Sequence, residues 1–193
     1  MSIFNQISVR KPRYNNFSLS HDKKLTFQIG ALVPVLCTEV IPGDQFDIRS
    51  SQMVRFMPLV SPVMHRFDVY MHYFFVPNRL LWENWEDFIT GGVDGEDTSV
   101  MPYCDLTTVG IGSTGDYLGL PFFAAGTNTL RVSALPDAAI RKIFSDYYRD
   151  ENLNTAQEFD ILPDGVIASN RYNSVPYNRA WTKDYFTSAL PSS

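Results

Sequence analysis

The sequence predicts a mainly β protein, and three observations support that prediction. Apolar and polar residues alternate with a period of two in several stretches before residue 76, as expected for half-buried strands. Turn-forming residues separate these stretches. Finally, 45% of the 193 residues are hydrophobic and 14% are aromatic, which is enough to build a core. Only 19% are charged, so apolar surface remains and large interfaces are favoured.

Strand signals dominate residues 25–60. A first strand alternates Leu25, Phe27 and Ile29 with polar residues. Its later part is apolar on both faces, which indicates burial on both sides or a place at an interface. The turn "IPGDQ" at 41–45 precedes a second strand, because proline fixes φ and glycine accepts a positive φ.

A third strand lies in the aromatic stretch "HRFDVYMHYFF". Its even positions begin charged and end aromatic, so the far end of that face is expected to be covered. Its odd positions are apolar throughout and are predicted to share one buried face. We call this odd-numbered set the odd face; it comprises Phe67, Val69, Met71, Tyr73 and Phe75.

Two helices are predicted. The first follows Pro77, with Asn78 as its N-cap and Gly91 at its end. Its apolar stripe consists of Leu81, Trp85, Phe88 and Ile89. The second and clearer helix is "SALPDAAIRKIFSDYYRDENLN", with Asp137 near the positive helix end. Its stripe consists of Ile140, Ile143, Phe144 and Tyr147. Between the helices, residues 91–132 contain many glycines and are predicted to be an irregular, functional or inserted segment.

Motifs for chemistry are weak in this sequence. "GIGSTG" at 110–115 matches a phosphate-binding glycine pattern, but Gly119 and Pro121 argue against a following helix, so a glycine-rich turn is expected. The acidic group around Glu96 lacks the ligand set of a calcium loop, and the three histidines lack metal-ligand spacing. Cys37 and Cys104 are expected to be buried free thiols. We therefore predict no catalytic, cofactor-binding or metal site.

The charge distribution suggests a different site. The net charge is −5, but residues 1–24 carry a net +4 and residues 171–193 a net +2, which leaves −11 for the middle. The tail also interleaves basic residues with aromatic ones, a combination that suits single-stranded nucleic acid, although ordinary interface packing is the favoured alternative for these residues. The candidate nucleic-acid contacts are Arg10, Lys11, Arg13, Arg179, Trp181 and Lys183.

Several long blocks resemble one family. "VIPGDQFDI", "MHRFDVYMHYFFVPNRLLWENWEDFITGG", "SALPDAAIRKIFSDYYRDENLN" and "WTKDYFTSALP" are similar, in collinear order, to the major capsid protein of microviruses, in the gokushovirus-like branch of small single-stranded DNA phages. The resemblance implies an antiparallel viral jelly roll, a β-sandwich or barrel, with long loop and helix insertions. It makes 25–40, 45–57 and 66–76 the first three strands. The polar, irregular residues 1–24 are interpreted as an extended basic arm. The resemblance makes 25–193 the N-terminal part of a jelly-roll capsid domain, with an insertion at about 91–170.

The resemblance also implies partners. The subunit is expected to associate with itself into an icosahedral T=1 shell, to contact other virion proteins, and to face packaged single-stranded DNA on its interior, without membrane insertion. The expected location is the virion, after assembly in the host cytoplasm. Family members continue beyond the "FTSALP" block, so a C-terminally truncated fragment with an incomplete barrel is expected. Two other hypotheses remain: a β-sandwich carbohydrate-binding module, and a hydrolase that uses carboxylates such as Glu83 and Glu86.

Overall fold

A computed structural model describes residues 13–122, 126, 129–151, 153–154, 161–167 and 171–186. Its strands are β1 (Tyr103–Leu106), β2 (Leu130–Ser133) and β3 (Val166–Ile167). Its α-helices are α1 (Trp85–Thr90), α2 (Thr114–Leu118) and α3 (Leu135–Ile143). A π-helical turn, Phe144–Tyr148, continues α3, and 3-10 turns occupy Asn78–Leu80, Val93–Gly95 and Arg171–Asn173.

The three strands form one small mixed sheet in the order β2-β1-β3. The central strand pairs antiparallel with β2, where Cys104 lies opposite Val132. It pairs parallel with β3, where Cys104 lies opposite Ile167. A mixed sheet is compatible with the predicted β-rich class, but β1 begins well after the three strands predicted from the sequence.

The core lies between this sheet, α3 and the chain around Trp82. Trp82 is fully buried, and its indole Nε1 donates a hydrogen bond of 2.6 Å to Asp164 Oδ1. Such a partner allows an indole N–H to be buried without an unsatisfied donor. The buried core cluster comprises Leu81, Trp82, Cys104, Leu106, Val109, Ala134, Leu135, Ala138, Leu162, Ile167 and Tyr172.

The prediction of three strands before residue 76 is wrong for this chain. Within the described residues, segments 25–40, 45–57 and 66–76 form no strand, and only one isolated bridge, at Ala31, lies along them. Every residue of 41–70 is exposed. A strand is stabilised by the neighbours with which it pairs, and alternation in the sequence does not supply those neighbours.

The odd face is likewise not buried. Phe67, Val69, Tyr73 and Phe75 are all exposed, Phe75 to 74%, and Met71 is half-buried. The alternation indicates which side chains a partner would cover, and within the described residues the chain folds no layer against this face.

The first predicted helix is confirmed only in part. Gly91 ends α1 in the left-handed region, with φ 84°, as predicted. Asn78 instead begins a separate 3-10 turn, capped by Pro77 without a side-chain hydrogen bond. The predicted stripe is wrong at its far end: Phe88 and Ile89 are exposed, and Trp82 takes the buried place. The predicted helix is broken between the 3-10 turn and α1, and the buried residues, Leu81 and Trp82, lie at this break, before α1 begins.

The second predicted helix is confirmed as α3 with its π-helical extension. Its stripe is correct at Phe144, which is buried, but Tyr147 is exposed. The segment predicted to be irregular, 91–132, contains β1, α2 and three of the eleven buried core residues. Its glycines end helices and form turns instead of preventing structure; Gly119, at φ 93°, closes the five-residue α2. Cys37, predicted to be buried, is exposed, whereas Cys104 is buried.

Candidate functional site

The C-terminal tail is anchored by a buried carboxylate. Asp137 on α3 has a side chain only 2% exposed. It accepts a hydrogen bond from Arg141 Nε at 2.8 Å and lies 3.1 Å from Arg171 Nε of the tail. Burial alone would lower the pKa of Arg141, but the charge and hydrogen bond of Asp137 outweigh it and raise that pKa. Arg171 is therefore a structural anchor, and its charge is compensated internally.

Tyr172 fixes the tail against the sheet. Its hydroxyl donates to the backbone carbonyl of Ser133, at the end of β2, and the ring is almost fully buried. Burial raises the pKa of Tyr172 above its ordinary range. Two residues further, the carbonyl of Ser174 accepts a 2.9 Å hydrogen bond from the backbone N–H of Thr114 on α2. The tail thus joins β2 to α2.

The tail next pairs with the segment that the sequence predicted as its first strand. Asn178 forms an antiparallel bridge with Ala31. Leu32 N–H donates to the Tyr177 carbonyl and Arg179 N–H to the Gly30 carbonyl, each at 2.8 Å. This short antiparallel contact shows that the first predicted strand does pair, although with the tail and over only a few residues.

The candidate contacts in the tail lie beyond this anchored part. The Arg179 guanidinium lies over the Tyr70 ring, 4.9 Å from its centroid. Trp181 is 96% exposed. Lys183 Nζ lies 3.6 Å from the buried Asp150 carboxylate. Three predicted contacts therefore occupy one stretch, but Lys183 already has an anionic partner.

Of the three N-terminal candidate contacts, only Arg13 lies within the described residues. Arg10 and Lys11 lie outside the described residues, and Arg13 is exposed. Lys23 holds the end of the predicted arm in place, because its ammonium donates to the Val35 carbonyl at 2.8 Å and also to the Tyr117 carbonyl. Burial lowers the pKa of Lys23, and the nearby Asp116 opposes that shift. The predicted arm is thus attached to the rest of the chain at Lys23.

An aromatic cluster contacts the far end of the even face of residues 66–76, but it does not bury that end as the sequence predicted, since His72 and Phe74 remain exposed. His72 Nδ1 and the Tyr148 hydroxyl are 2.6 Å apart, and the two rings are stacked. Phe74 meets Tyr147 edge to face, with ring centroids 5.2 Å apart. The π-helical turn after α3 therefore places its two tyrosines against this segment, and the even and odd faces have different fates.

Two side-chain contacts give the relation between the second and third predicted strands. Tyr73 donates a 2.8 Å hydrogen bond from its hydroxyl to Ser50 Oγ. Phe56 and Phe67 have ring centroids 4.6 Å apart. The residue numbers of both pairs sum to 123, as antiparallel neighbours in one register require. Segments 45–57 and 66–76 thus lie side by side as an open hairpin that lacks its backbone ladder in the described residues.

The described part of the chain meets the requirements of neither a metal site nor a membrane-spanning helix. Among those residues, no group of three or more His, Cys, Asp or Glu side chains is arranged to hold a metal ion. No helix in the described ranges is long and apolar enough to cross a membrane. Sequence reasoning missed Asp137 and Arg171 as an anchor and Tyr70 as the partner of Arg179, because each pairing joins segments far apart in the chain.

Comparison with known proteins gives one consistent result. The family model described as Capsid protein (F protein) matches residues 5–193. Capsid protein VP1 of Chlamydia phage 1 is 36% identical over 210 residues, which cover 97% of this chain and 35% of that protein. Capsid protein VP1 of Bdellovibrio phage phiMH2K is 33% identical and covers 97% of this chain, and its counterpart in Spiroplasma virus 4 is 27% identical over 90%.

The matches cover most of this chain but only part of the relatives. The chain spans about a third of the length of the curated relatives that it matches. The family model and the relatives agree with the resemblance to phage capsid proteins noted in the sequence. Their names are those of structural proteins, not of enzymes. The chain therefore belongs to the phage capsid protein (F protein) family.

Proposed function

We propose that this chain contributes to the structural subunit of an icosahedral phage capsid that encloses single-stranded DNA. Family membership supports this proposal over a carbohydrate-binding module or a hydrolase. The structural observation that carries it is the exposed apolar surface of residues 41–75, which includes Phe46, Ile48, Met53 and Phe75. Soluble monomers rarely expose apolar surface on this scale, and interface proteins do. Assembly of the protein, completed to the length of its relatives, into closed particles is the direct test.

The proposed fold of the completed subunit is a jelly roll. Segments 45–57 and 66–76 already lie antiparallel in one register, and 25–40 already pairs with the tail at Ala31. The odd face is apolar and exposed, as expected for the inner face of a sandwich that lacks its second sheet. The remaining two thirds of the relatives' length is long enough to supply such a sheet. Residues 91–170 then form the insertion and 1–24 the arm.

The proposed partners follow from assembly. The subunit associates with copies of itself, meets other virion proteins and resides in the virion, with assembly in the host cytoplasm. Its basic ends face the interior, because the DNA is a polyanion and the middle of the chain carries −11. Arg10, Lys11 and Arg13 supply phosphate contacts without a fixed register, and Arg179, Trp181 and Lys183 combine charge with a stacking ring.

Neutralising the arm is expected to reduce DNA content without preventing assembly. In the completed protein, Arg10→Gln, Lys11→Gln and Arg13→Gln together remove three cations from the arm, which is exposed at Arg13. The logarithmic salt slope for single-stranded DNA should fall by about 0.7 for each phosphate that the arm no longer neutralises. Packaged DNA per particle and the salt slope are the measurements. A matched control is Arg49→Gln with Arg55→Gln, which removes exposed cations elsewhere. An unchanged DNA content together with an unchanged salt slope would show that the arm does not touch the genome.

A further inference from the structure

The surroundings of Arg179 contain a residue that the candidate contacts do not include. The Arg179 guanidinium lies over Tyr70, 4.9 Å from the ring centroid, and forms no ion pair with any described residue. Tyr70 belongs to the even face of 66–76, more than a hundred residues away in sequence. The Arg179 backbone is fixed separately by its 2.8 Å hydrogen bond to Gly30. An uncompensated cation is therefore held in place from two sides.

This arrangement leaves the Arg179 guanidinium beside an aromatic ring and accessible to solvent. A guanidinium is planar, so a face that is open to solvent can accept a second flat group. Tyr70 is 61% exposed, so the pair is not enclosed by protein. Trp181 follows two positions later and is almost completely exposed. Arg179 is also close enough to Tyr148 to oppose the rise that burial causes in the pKa of that hydroxyl.

We infer that Tyr70 positions Arg179 as a stacking platform for an unpaired nucleotide, with Trp181 as the adjacent stacking ring. An exposed guanidinium that has no carboxylate partner among the described residues is complementary to a phosphate, and two flat side chains in succession suit unpaired bases. A protein partner would have to place an acidic group opposite Arg179 and an apolar patch opposite Trp181. A single nucleic-acid strand supplies both kinds of contact, because each nucleotide carries a phosphate and a flat base. The inference rests on the proposed contact between the tail and DNA, and it adds Tyr70 as a positioning residue.

The test compares two tyrosines on the same segment. Tyr70 and Tyr73 are 61% and 56% exposed but lie on opposite faces, and Tyr73 bonds to Ser50 instead of meeting a cation. Binding of a labelled oligo-dT strand to the 193-residue chain is followed by fluorescence anisotropy at nanomolar protein. Tyr70→Leu should weaken binding by about tenfold, whereas Tyr73→Leu should leave it within about twofold. Tyr70→Phe keeps the ring and should bind like the original chain.

The salt dependence separates positioning from charge. Tyr70→Leu removes no charge and should leave the salt slope unchanged. Arg179→Gln should lower the slope by about 0.7, and Arg179→Lys should keep the slope but still bind about tenfold more weakly, because an ammonium has no planar face. Duplex DNA of equal length should be insensitive to Tyr70→Leu, since its bases are already stacked.

Each contrary outcome has a distinct meaning. If the original chain shows no salt-dependent binding to oligo-dT, the proposed DNA contact of the tail fails. If it binds, but Tyr70→Leu and Tyr73→Leu behave alike, the platform alone is wrong. If Tyr70→Leu changes self-association in sedimentation and leaves oligo-dT binding unchanged, the surface is a protein interface and the inference is overturned.

Discussion

Asp137→Ala should lower the free energy of unfolding by about 3–5 kcal/mol, the range for breaking a buried ion pair from one side. The side chain of Asp137 is 2% exposed and holds the guanidinium groups of Arg141 and Arg171, whose side chains are themselves mostly buried. Removing the carboxylate leaves two cations with reduced hydration and no partner. Urea denaturation followed by circular dichroism measures the effect.

The control for this prediction lies in the π-helical turn that follows α3. Asp146 pairs with Lys142 at 3.0 Å, but its side chain is 57% exposed. Asp146→Ala should therefore cost about 0.5 kcal/mol or less, as exposed pairs usually do. Asp137→Asn keeps the shape and removes the charge, and its cost should fall between the two. If Asp137→Ala and Asp146→Ala cost the same, Asp137 does not anchor the tail.

Val69→Asp should prevent assembly of the completed protein while changing the chain alone very little. Val69 lies on the odd face and is exposed here, so the charge stays in water and the free energy of unfolding should change by about 0.5 kcal/mol or less. In the proposed jelly roll the same carboxylate is buried without a partner, which costs several kcal/mol. The yield of closed particles should fall by at least about tenfold, as counted by electron microscopy.

Val69→Thr is the matched control, because it keeps the branched shape and carries no charge. It should preserve most of the particle yield. Normal particles from Val69→Asp would show that the odd face stays exposed in the assembled state, and the proposed jelly-roll register would then be wrong.

Local signals in the sequence predicted local structure well. The α3 helix and the glycine that ends α1 were both expected from residues near one another. The small sheet was not expected, since β1 and β2 are four residues each and lie in a glycine-rich segment. Short strands with few alternating positions carry too little periodicity to stand out from loops.

The candidate site also shows that the sequence predicts local features and not contacts between distant segments. Arg179 and Trp181 could be identified from composition, because basic and aromatic residues alternate in the tail. The partner of Arg179, Tyr70, could not be, because the pairing depends on how the tail crosses residues 30–32. The predicted strands failed for a different reason. Their alternation describes the side chains correctly, but a strand forms only where a neighbour supplies the other half of the ladder.

Electron cryomicroscopy of the chain alone and of the protein completed to the length of its relatives tests the proposed capsid role most directly. We expect closed shells only from the completed protein, because the strand edges and apolar faces of the chain alone lack the partners that a regular shell contact needs. Within those shells, 45–57 and 66–76 should be hydrogen-bonded antiparallel strands, with Ser50 beside Tyr73 and the odd face buried. Regular closed shells from the 193-residue chain alone would show that the remaining length of the relatives is not needed for closure. An absence of closed shells from the completed protein would contradict the capsid role, and an odd face still exposed to solvent in the shell would contradict the jelly roll.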